Sequence, residues 1–126
     1  VLGDELSALG FNLLIGPSLD VAETPNPDEA GDLGSATFGG DPYWVGVLGQ
    51  SYIQGLHSGS DDRMMVLAEH FPGHTGAAQP LDEEIPTVRK SLEALTQIEL
   101  APFFAVTGRA SSEQAAVDGL LLSHIR

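Results

Sequence analysis

The chain has 126 residues, 42% of them hydrophobic, a proportion typical of a globular domain rather than of a disordered chain. Its 18 acidic and 5 basic residues give a formal net charge of −13, which argues against nucleic acid or an anionic membrane surface as a partner. No cysteine is present, so disulfides and thiolate metal sites are excluded, and cytoplasmic and secreted locations both stay open. No apolar run approaches the roughly 20 residues that span a bilayer.

Two helices are indicated in the first half of the chain. The run DELSAL at 4–9 is typical of the last turns of a helix that ends at Gly10. Asp41 followed by Pro42 predicts the start of a second helix, which ends near residues 58–59. Its three glycines permit close packing against a neighbour: Gly46, Gly49 and Gly55.

A third helix is indicated after the middle of the chain. Ser91 is a suitable N-cap for a helix over residues 92–100, with Thr87 as a competing, earlier start. Pro102 is expected to kink or end this helix. Residues 101–106 then indicate a short helical continuation.

Three short apolar runs, separated by these helices, predict buried parallel strands: FNLLIG at 11–16, RMMVLA at 63–68 and GLLLSHI at 119–125. Alternation of strands and helices is typical of a parallel sheet built from right-handed βαβ units. The sequence therefore predicts an α/β fold, and its length predicts a single domain over residues 1–126.

Polar residues follow each predicted strand. Asp20 comes after the first strand, Glu69 and His70 end the second, and Ser123 and His124 end the third. Because the carboxyl ends of parallel strands meet at one edge of a sheet, we expect these groups to converge on one crevice. The alternative is that they only cap and satisfy the ends of the strands.

His70 and His74 could also be ligands of a zinc ion, since they lie four residues apart. Pro72 and Gly73 lie between them and break any helix that would place both on one face, so we predict no metal site. Carboxylates for acid–base chemistry are available just beyond, although a solvated first helical turn explains them better: Asp82, Glu83 and Glu84.

The turn HFPGH at 70–74 resembles the KHFPGHG hallmark of the N-terminal domain of family 3 glycoside hydrolases, a group that includes β-glucosidases and β-N-acetylhexosaminidases. Four other segments are similar to that family in the same order: NLLIGPSLDV at 12–21, TFGGDPYWV at 37–45, IELAPFFAV at 98–106 and LLLSHI at 120–125. The resemblance implies a segment of a (β/α)₈ TIM barrel with about three of its strands, here a single partial domain.

The same resemblance implies a parent protein that hydrolyses β-glycosidic bonds by a retaining mechanism without a cofactor. It makes Asp20 a ligand for sugar hydroxyls, His70 a second hydroxyl contact and His74 a support for the turn. His124, at the end of the third strand, joins them as a substrate-binding candidate. The implied partners are a carbohydrate ligand and either the remainder of the barrel or a second copy of the chain. The resemblance also makes Phe71–Pro72 a candidate cis peptide bond.

The sequence departs from the family pattern at several places. Ala36 stands where the family has an arginine, and Glu69 stands where it has a lysine. An Asp-x-His pair of the hexosaminidase members is absent, because residues 80–82 read Pro-Leu-Asp. The family's nucleophilic aspartate lies one strand further on, beyond Arg126. No catalytic residue is therefore assigned, and the isolated chain is expected to be inactive. The alternative function is a non-catalytic carbohydrate-binding or scaffold fragment that self-associates.

Overall fold

The computed structural model describes residues 1–23, 36–74 and 90–124. Its elements alternate between helix and strand, as the sequence predicts. In chain order they are α1 (Leu2–Ala8), β1 (Leu13–Ser18), α2 (Pro42–Gly59), β2 (Met65–Phe71), α3 (Leu92–Ala94), a π-helical turn (Leu95–Glu99), α4 (Leu100–Val106), a short 3-10 helix (Glu113–Ala115) and β3 (Gly119–Leu122).

The three strands form one parallel sheet in the order β1-β2-β3, which confirms the predicted α/β fold. β1 begins two residues later than predicted and includes Pro17 and Ser18, and β2 extends to Phe71. The ladder starts where Met65 pairs with Leu13. The N–H of Met65 donates to the carbonyl of Asn12 at 2.9 Å. Strand limits follow the hydrogen bonds that the neighbouring strand supplies, whereas the sequence shows only the apolar run.

The ladder is irregular at its carboxyl-terminal edge. The register shifts between Ile15 and Ser18 in β1 and between Ala68 and Phe71 in β2. Such irregularities twist a strand and redirect its side chains. They place Ser18 opposite Glu69, so that the polar ends of the two strands lie side by side.

One face of the sheet packs against the helices and forms the core. Ten fully or almost fully buried apolar side chains make up this cluster: Leu19, Val21, Val45, Ile53, Leu56, Met64, Val66, Ala68, Phe103 and Val106. Phe71 joins β2 to α4 through an edge-to-face contact with Phe103, with ring centroids 5.3 Å apart. The core therefore fixes where β2 ends and where the following turn begins.

The opposite face of the sheet is apolar and open. Leu13, Ile15 and Met65 are 44%, 53% and 53% exposed, and Leu121 is 36% exposed. The prediction of strands buried on both faces is therefore wrong for this face, because the helices that contact the strands, α2 and α4, pack on the core side. A closed barrel fills its interior with side chains of this kind.

Helix α2 begins as predicted. The Asp41 carboxylate accepts hydrogen bonds from the backbone N–H groups of Tyr43 and Trp44, at 2.9 and 3.3 Å. Gly46 and Gly49 permit close packing, since a Cβ there would lie 3.0 Å from Ala105 and 2.6 Å from Leu19 respectively. The prediction is wrong for Gly55, which has no such neighbour within 4 Å.

The helical segment after residue 90 is continuous from α3 to α4. The Ser91 hydroxyl accepts a hydrogen bond from the Ala94 N–H at 3.1 Å, which confirms this residue as the cap, while Thr87 lies outside the described residues. Pro102 lies in the first turn of α4, directly after the π-helical turn, so the helical continuation is confirmed. Among the described helices, none is long and apolar enough to cross a membrane.

Candidate functional site

The carboxyl ends of β1 and β2 are joined by backbone and side-chain contacts. The Leu19 N–H donates to the carbonyl of Glu69 at 2.6 Å, which extends the sheet by one further bond. The Ser18 hydroxyl donates to the Asp20 carboxylate at 2.9 Å. Asp20 is therefore placed by the last residues of β1 and turned toward the end of β2.

Asp20 is fully buried and accepts hydrogen bonds from four groups. Its Oδ2 accepts from the Ser18 hydroxyl, from the backbone N–H of His70 at 3.3 Å and from His70 Nδ1 at 2.7 Å. Its Oδ1 accepts from the backbone N–H of His74 at 2.7 Å. A buried carboxylate needs such donors, because an unpaired charge inside a protein is very costly. Asp20 thus holds both histidines of the HFPGH turn in place.

His70 lies between two carboxylates. Its Nδ1 faces Asp20, and its Nε2 lies 3.4 Å from Glu69 Oε2. The hydrogen bond to Asp20 raises the pKa of His70 above 6.5; burial opposes this, and attraction to Asp20 and Glu69 adds to it. The ring therefore keeps a proton on Nδ1 and favours the imidazolium form.

His74 lies beside His70, with ring centroids 6.1 Å apart, but in a different environment. Its side chain is 1% exposed, and neither ring nitrogen has a hydrogen-bond partner within the part of the chain that the structure describes. Burial lowers the pKa of His74 below 6.5, against the opposing attraction of Asp20. The two histidines of one turn therefore favour opposite charge states.

The backbone between these histidines is tightly folded. Phe71–Pro72 is a cis peptide bond, as predicted, and Gly16–Pro17 and Glu69–His70 are cis as well. Gly73 has φ +126°, and its N–H donates to the carbonyl of His70 at 2.6 Å. A Cβ at Gly73 would lie 2.5 Å from Glu99 Oε2, so only glycine fits between the turn and this side chain.

Lys90 links the segment after β1 to the π-helical turn that packs against Gly73. Its ammonium contacts the carboxylate of Glu99, which is 1% exposed, and lies 3.2 Å from Glu23 Oε2 after β1. Burial lowers the pKa of Lys90, but hydrogen bonds and attraction from Glu99 and Glu23 outweigh it, and the net shift is upward. Sequence reasoning missed this group, because Glu23 lies 67 positions from Lys90 and the separation of nine between Lys90 and Glu99 matches no helical pairing.

A cavity of about 350 Å³ opens beside Glu69 and His70 at the carboxyl edge of the sheet. Its wall also contains Ala36, Thr37 and the side chains of Phe38 and Tyr52, whose rings meet edge to face at 6.1 Å. The volume lies at the lower end of the range for small-molecule sites, so it suits one small ring. Polar groups and aromatic walls are the common lining of such sites.

His124 follows β3 at the same edge of the sheet, with an exposed side chain. The Ser123 N–H donates to the carbonyl of Phe71 at 2.7 Å, which carries the pairing of β3 with β2 to this point. Among the described residues, no hydrogen bond, ion pair or ring contact joins His124 to Asp20, His70 or His74. The structure therefore brings three of the four predicted site residues together, and places the fourth on the same edge only.

The remaining candidates for acid–base chemistry, Asp82, Glu83 and Glu84, lie outside the described residues. Within residues 1–23, 36–74 and 90–124, no group of three or more acidic or histidine side chains is arranged to hold a metal ion. At the described edge, Glu69 and His70 can hydrogen-bond to hydroxyls or amines and can supply charge.

The sequence is similar to a known family and to known enzymes over nearly its whole length. The family described as "Glycosyl hydrolase family 3 N terminal domain" matches residues 1–126. A protein named beta-hexosaminidase from Pseudomonas aeruginosa is 29% identical over 125 residues, which is 99% of this chain and 33% of the relative. Another of that name from Aromatoleum aromaticum is 32% identical over 109 residues, covering 86% of this chain and 29% of the relative.

Solved structures show the same fold. A family 3 β-N-acetylglucosaminidase from Paenibacillus superposes with a TM-score of 0.82 at 32% identity, over 99% of this chain and 22% of that one. NagZ from Neisseria gonorrhoeae in complex with N-trifluoroacetyl-D-glucosamine gives 0.80 at 27% identity, over 99% of this chain and 33% of that one. The three parallel strands are thus a TIM-barrel-like segment, and the chain spans about a third or less of these relatives. The chain belongs to the family of glycosyl hydrolase family 3 N-terminal domains.

Proposed function

We propose that the protein hydrolyses β-glycosidic bonds of hexose or hexosamine glycosides, and that residues 1–126 supply part of the sugar-binding pocket. One observation carries the proposal: Asp20 fixes His70 and the turn at 70–74 beside a ring-sized cavity at the carboxyl edge of the sheet. Family membership supports hydrolysis, and relatives are named hexosaminidases. Sites of parallel α/β folds occupy this edge.

In this proposal the groups have different tasks. His70 contacts a sugar hydroxyl, since its side chain is partly exposed and lines the cavity. Asp20 acts through His70 and the turn, because it is buried with both oxygens already bonded; a direct bond from Asp20 to the sugar, which the family resemblance implies, stays a prediction. His74 supports the turn, and His124 contacts the sugar from the end of β3.

The reaction we propose is a double displacement with retention, which needs two carboxyl groups about 5–5.5 Å apart on either side of the glycosidic bond. By the family pattern the nucleophile follows the next strand, so residues 1–126 by themselves bind without turnover. The test is release of nitrophenolate from aryl β-glucoside, β-glucosaminide and N-acetyl-β-glucosaminide. A chain that continues through the next strands should cleave at least one of these substrates, and the 126-residue chain should cleave none.

Two results would contradict this function. Turnover by the 126 residues alone, abolished by a substitution within them, would mean that the nucleophile lies inside this stretch. If the longer chain cleaved none of these aryl glycosides, the proposed hydrolase activity would be wrong.

A second function, a scaffold that self-associates, is favoured by one specific observation. The open sheet face carries Leu13, Ile15, Met65 and Leu121, and apolar surface of this kind needs a partner. We propose that the remaining strands of a barrel cover this open sheet face. Where those strands are missing, we propose that a second copy of the chain covers it. Sedimentation at increasing concentration separates the two, since a lone monomer at every concentration would exclude the second copy.

A further inference from the structure

The cavity beside His70 contains the carboxylate of Glu69, whose one ion-pair partner among the described residues is His70. The charge of the Asp20 carboxylate is compensated within the protein, since it accepts hydrogen bonds from His70 Nδ1 at 2.7 Å and from three other donors. Glu69 is the other carboxylate of the group, its side chain is 22% exposed, and it lies in the cavity wall. It reaches His70 only at 3.4 Å, from the ring nitrogen that Asp20 does not use. Glu69 therefore presents its carboxylate to a ligand in the cavity.

The described basic residues lie elsewhere. Lys90 is engaged by Glu23 and Glu99, Arg63 lies near Asp61, and Arg109 lies over the ring of Phe104. The cavity wall itself contains no lysine or arginine among the described residues. Ala36 is part of the same wall, and its short apolar side chain adds no charge there.

We infer that Glu69 determines specificity, and that the pocket selects a sugar with a free, protonated amine over its N-acetylated form. The ammonium would donate to the Glu69 carboxylate, as charge-assisted bonds are shorter and stronger than neutral ones. Phe38 and Tyr52 add aromatic surface to the same wall. An N-acetyl group would instead bring a neutral amide and a carbonyl oxygen toward the carboxylate, which cannot donate a bond to that oxygen.

This inference rests on the proposed function, since it names the sugar that the same pocket takes. The test is titration of the protein with glucosamine, N-acetylglucosamine and glucose at pH 6, followed by NMR or calorimetry. Glucosamine should bind about tenfold more tightly than the other two, and the preference should weaken as salt is raised.

Two variants test the assignment to Glu69. Glu69→Gln removes the charge and keeps the shape, so the preference should fall to within about twofold. Ala36→Lys leaves Glu69 in place and adds a cation to the wall, so it should reduce the preference to the same extent. Ala36 is exposed, so this second variant keeps the test informative if the first does not fold. Glu5→Gln on the exposed side of α1 is the matched control and should change nothing.

Equal affinity for glucosamine and N-acetylglucosamine, or a preference that survives both variants, would overturn the inference. So would binding of neither sugar. The hydrolysis assay distinguishes failure of this inference from failure of the proposed function. If a longer chain cleaves aryl glycosides with no preference for the free amine, the proposed function is supported and the inference is contradicted. A chain that neither cleaves these glycosides nor binds the sugars would contradict both the proposed function and the inference.

Discussion

Asp20 and His70 lie at the ends of neighbouring strands, and a 2.7 Å hydrogen bond joins Oδ2 of the first to Nδ1 of the second. The second oxygen of Asp20 accepts the backbone N–H of His74, also at 2.7 Å. One buried carboxylate therefore fixes the exits of two strands and the orientation of two histidines. The stability of the turn and the charge of the pocket depend on the same contact.

Replacement of Asp20 by asparagine should destabilise the protein. The amide removes the charge and replaces one acceptor by a donor, which then faces the donors of Ser18 or His70. We expect the free energy of unfolding to fall by about 2 kcal/mol, the range for a buried hydrogen bond to a charged group. Urea unfolding measures it, with Asp61→Asn as the matched exposed control. Equal stability of the two variants would mean that Asp20 is not structurally important.

Opposite pKa shifts of the two histidines predict a stability maximum near pH 6.5. The pKa of His70 is raised in the folded state, so its contribution is complete below 6.5 and is lost as the pH rises through the folded value. The pKa of His74 is lowered, so its contribution is complete above 6.5 and is lost as the pH falls toward the folded value.

Urea midpoints measured between pH 5 and pH 8 test both signs. His70→Gln should flatten the alkaline side of the profile, and His74→Gln should flatten the acid side, each relative to the parent chain. The reverse assignment, or two variants with the same profile, would contradict the opposite pKa shifts of the two histidines.

Gly73 should tolerate no side chain. A Cβ there would lie 2.5 Å from Oε2 and 2.9 Å from Cβ of the buried Glu99, and φ +126° is strained for any other residue. Gly73→Ala is expected to lower the free energy of unfolding by about 3 kcal/mol.

Two other glycines separate the causes of that loss. Gly10 has φ +90°, and no atom lies within 4 Å of the place that a Cβ would take, so Gly10→Ala measures strain alone, about 1–2 kcal/mol. Gly55 lies in α2 with neither constraint, so Gly55→Ala should stabilise the protein by about 0.5–1 kcal/mol. If Gly73→Ala costs no more than Gly10→Ala, the contact with Glu99 is unimportant.

Lys90 should stabilise the turn at 70–74 through Glu99, which packs against Gly73. Lys90→Met keeps much of the length of the side chain but leaves the buried Glu99 without this cation, and should cost about 2 kcal/mol, less than a fully buried pair because the lysine is partly exposed. Arg109→Met, which removes an exposed cation from the turn after α4 together with its contact with Phe104, is the control and should cost under about 1 kcal/mol. Urea unfolding of both variants is the measurement, and equal costs would show that the Lys90 pair adds nothing.

The sequence alone determined the type and order of the elements. Apolar runs and caps such as Asp41 and Ser91 are local signals, and the structure confirms them. The presence of a strand and the first residue of a helix depend mainly on residues nearby in the sequence. The same reasoning placed Asp20, His70 and His124 at one edge, since parallel strands share their direction. The motif at 70–74 identified the family.

Only the tertiary structure decided how those groups are used. That Asp20 is buried and fully bonded, that Glu69 faces the cavity, and that Lys90 reaches Glu23 depend on contacts between residues far apart in the chain. Burial and charge pairing set protonation, and both arise from packing rather than from spacing along the sequence. For the same reason the sequence predicted apolar strands but could not show that one face of the sheet is open.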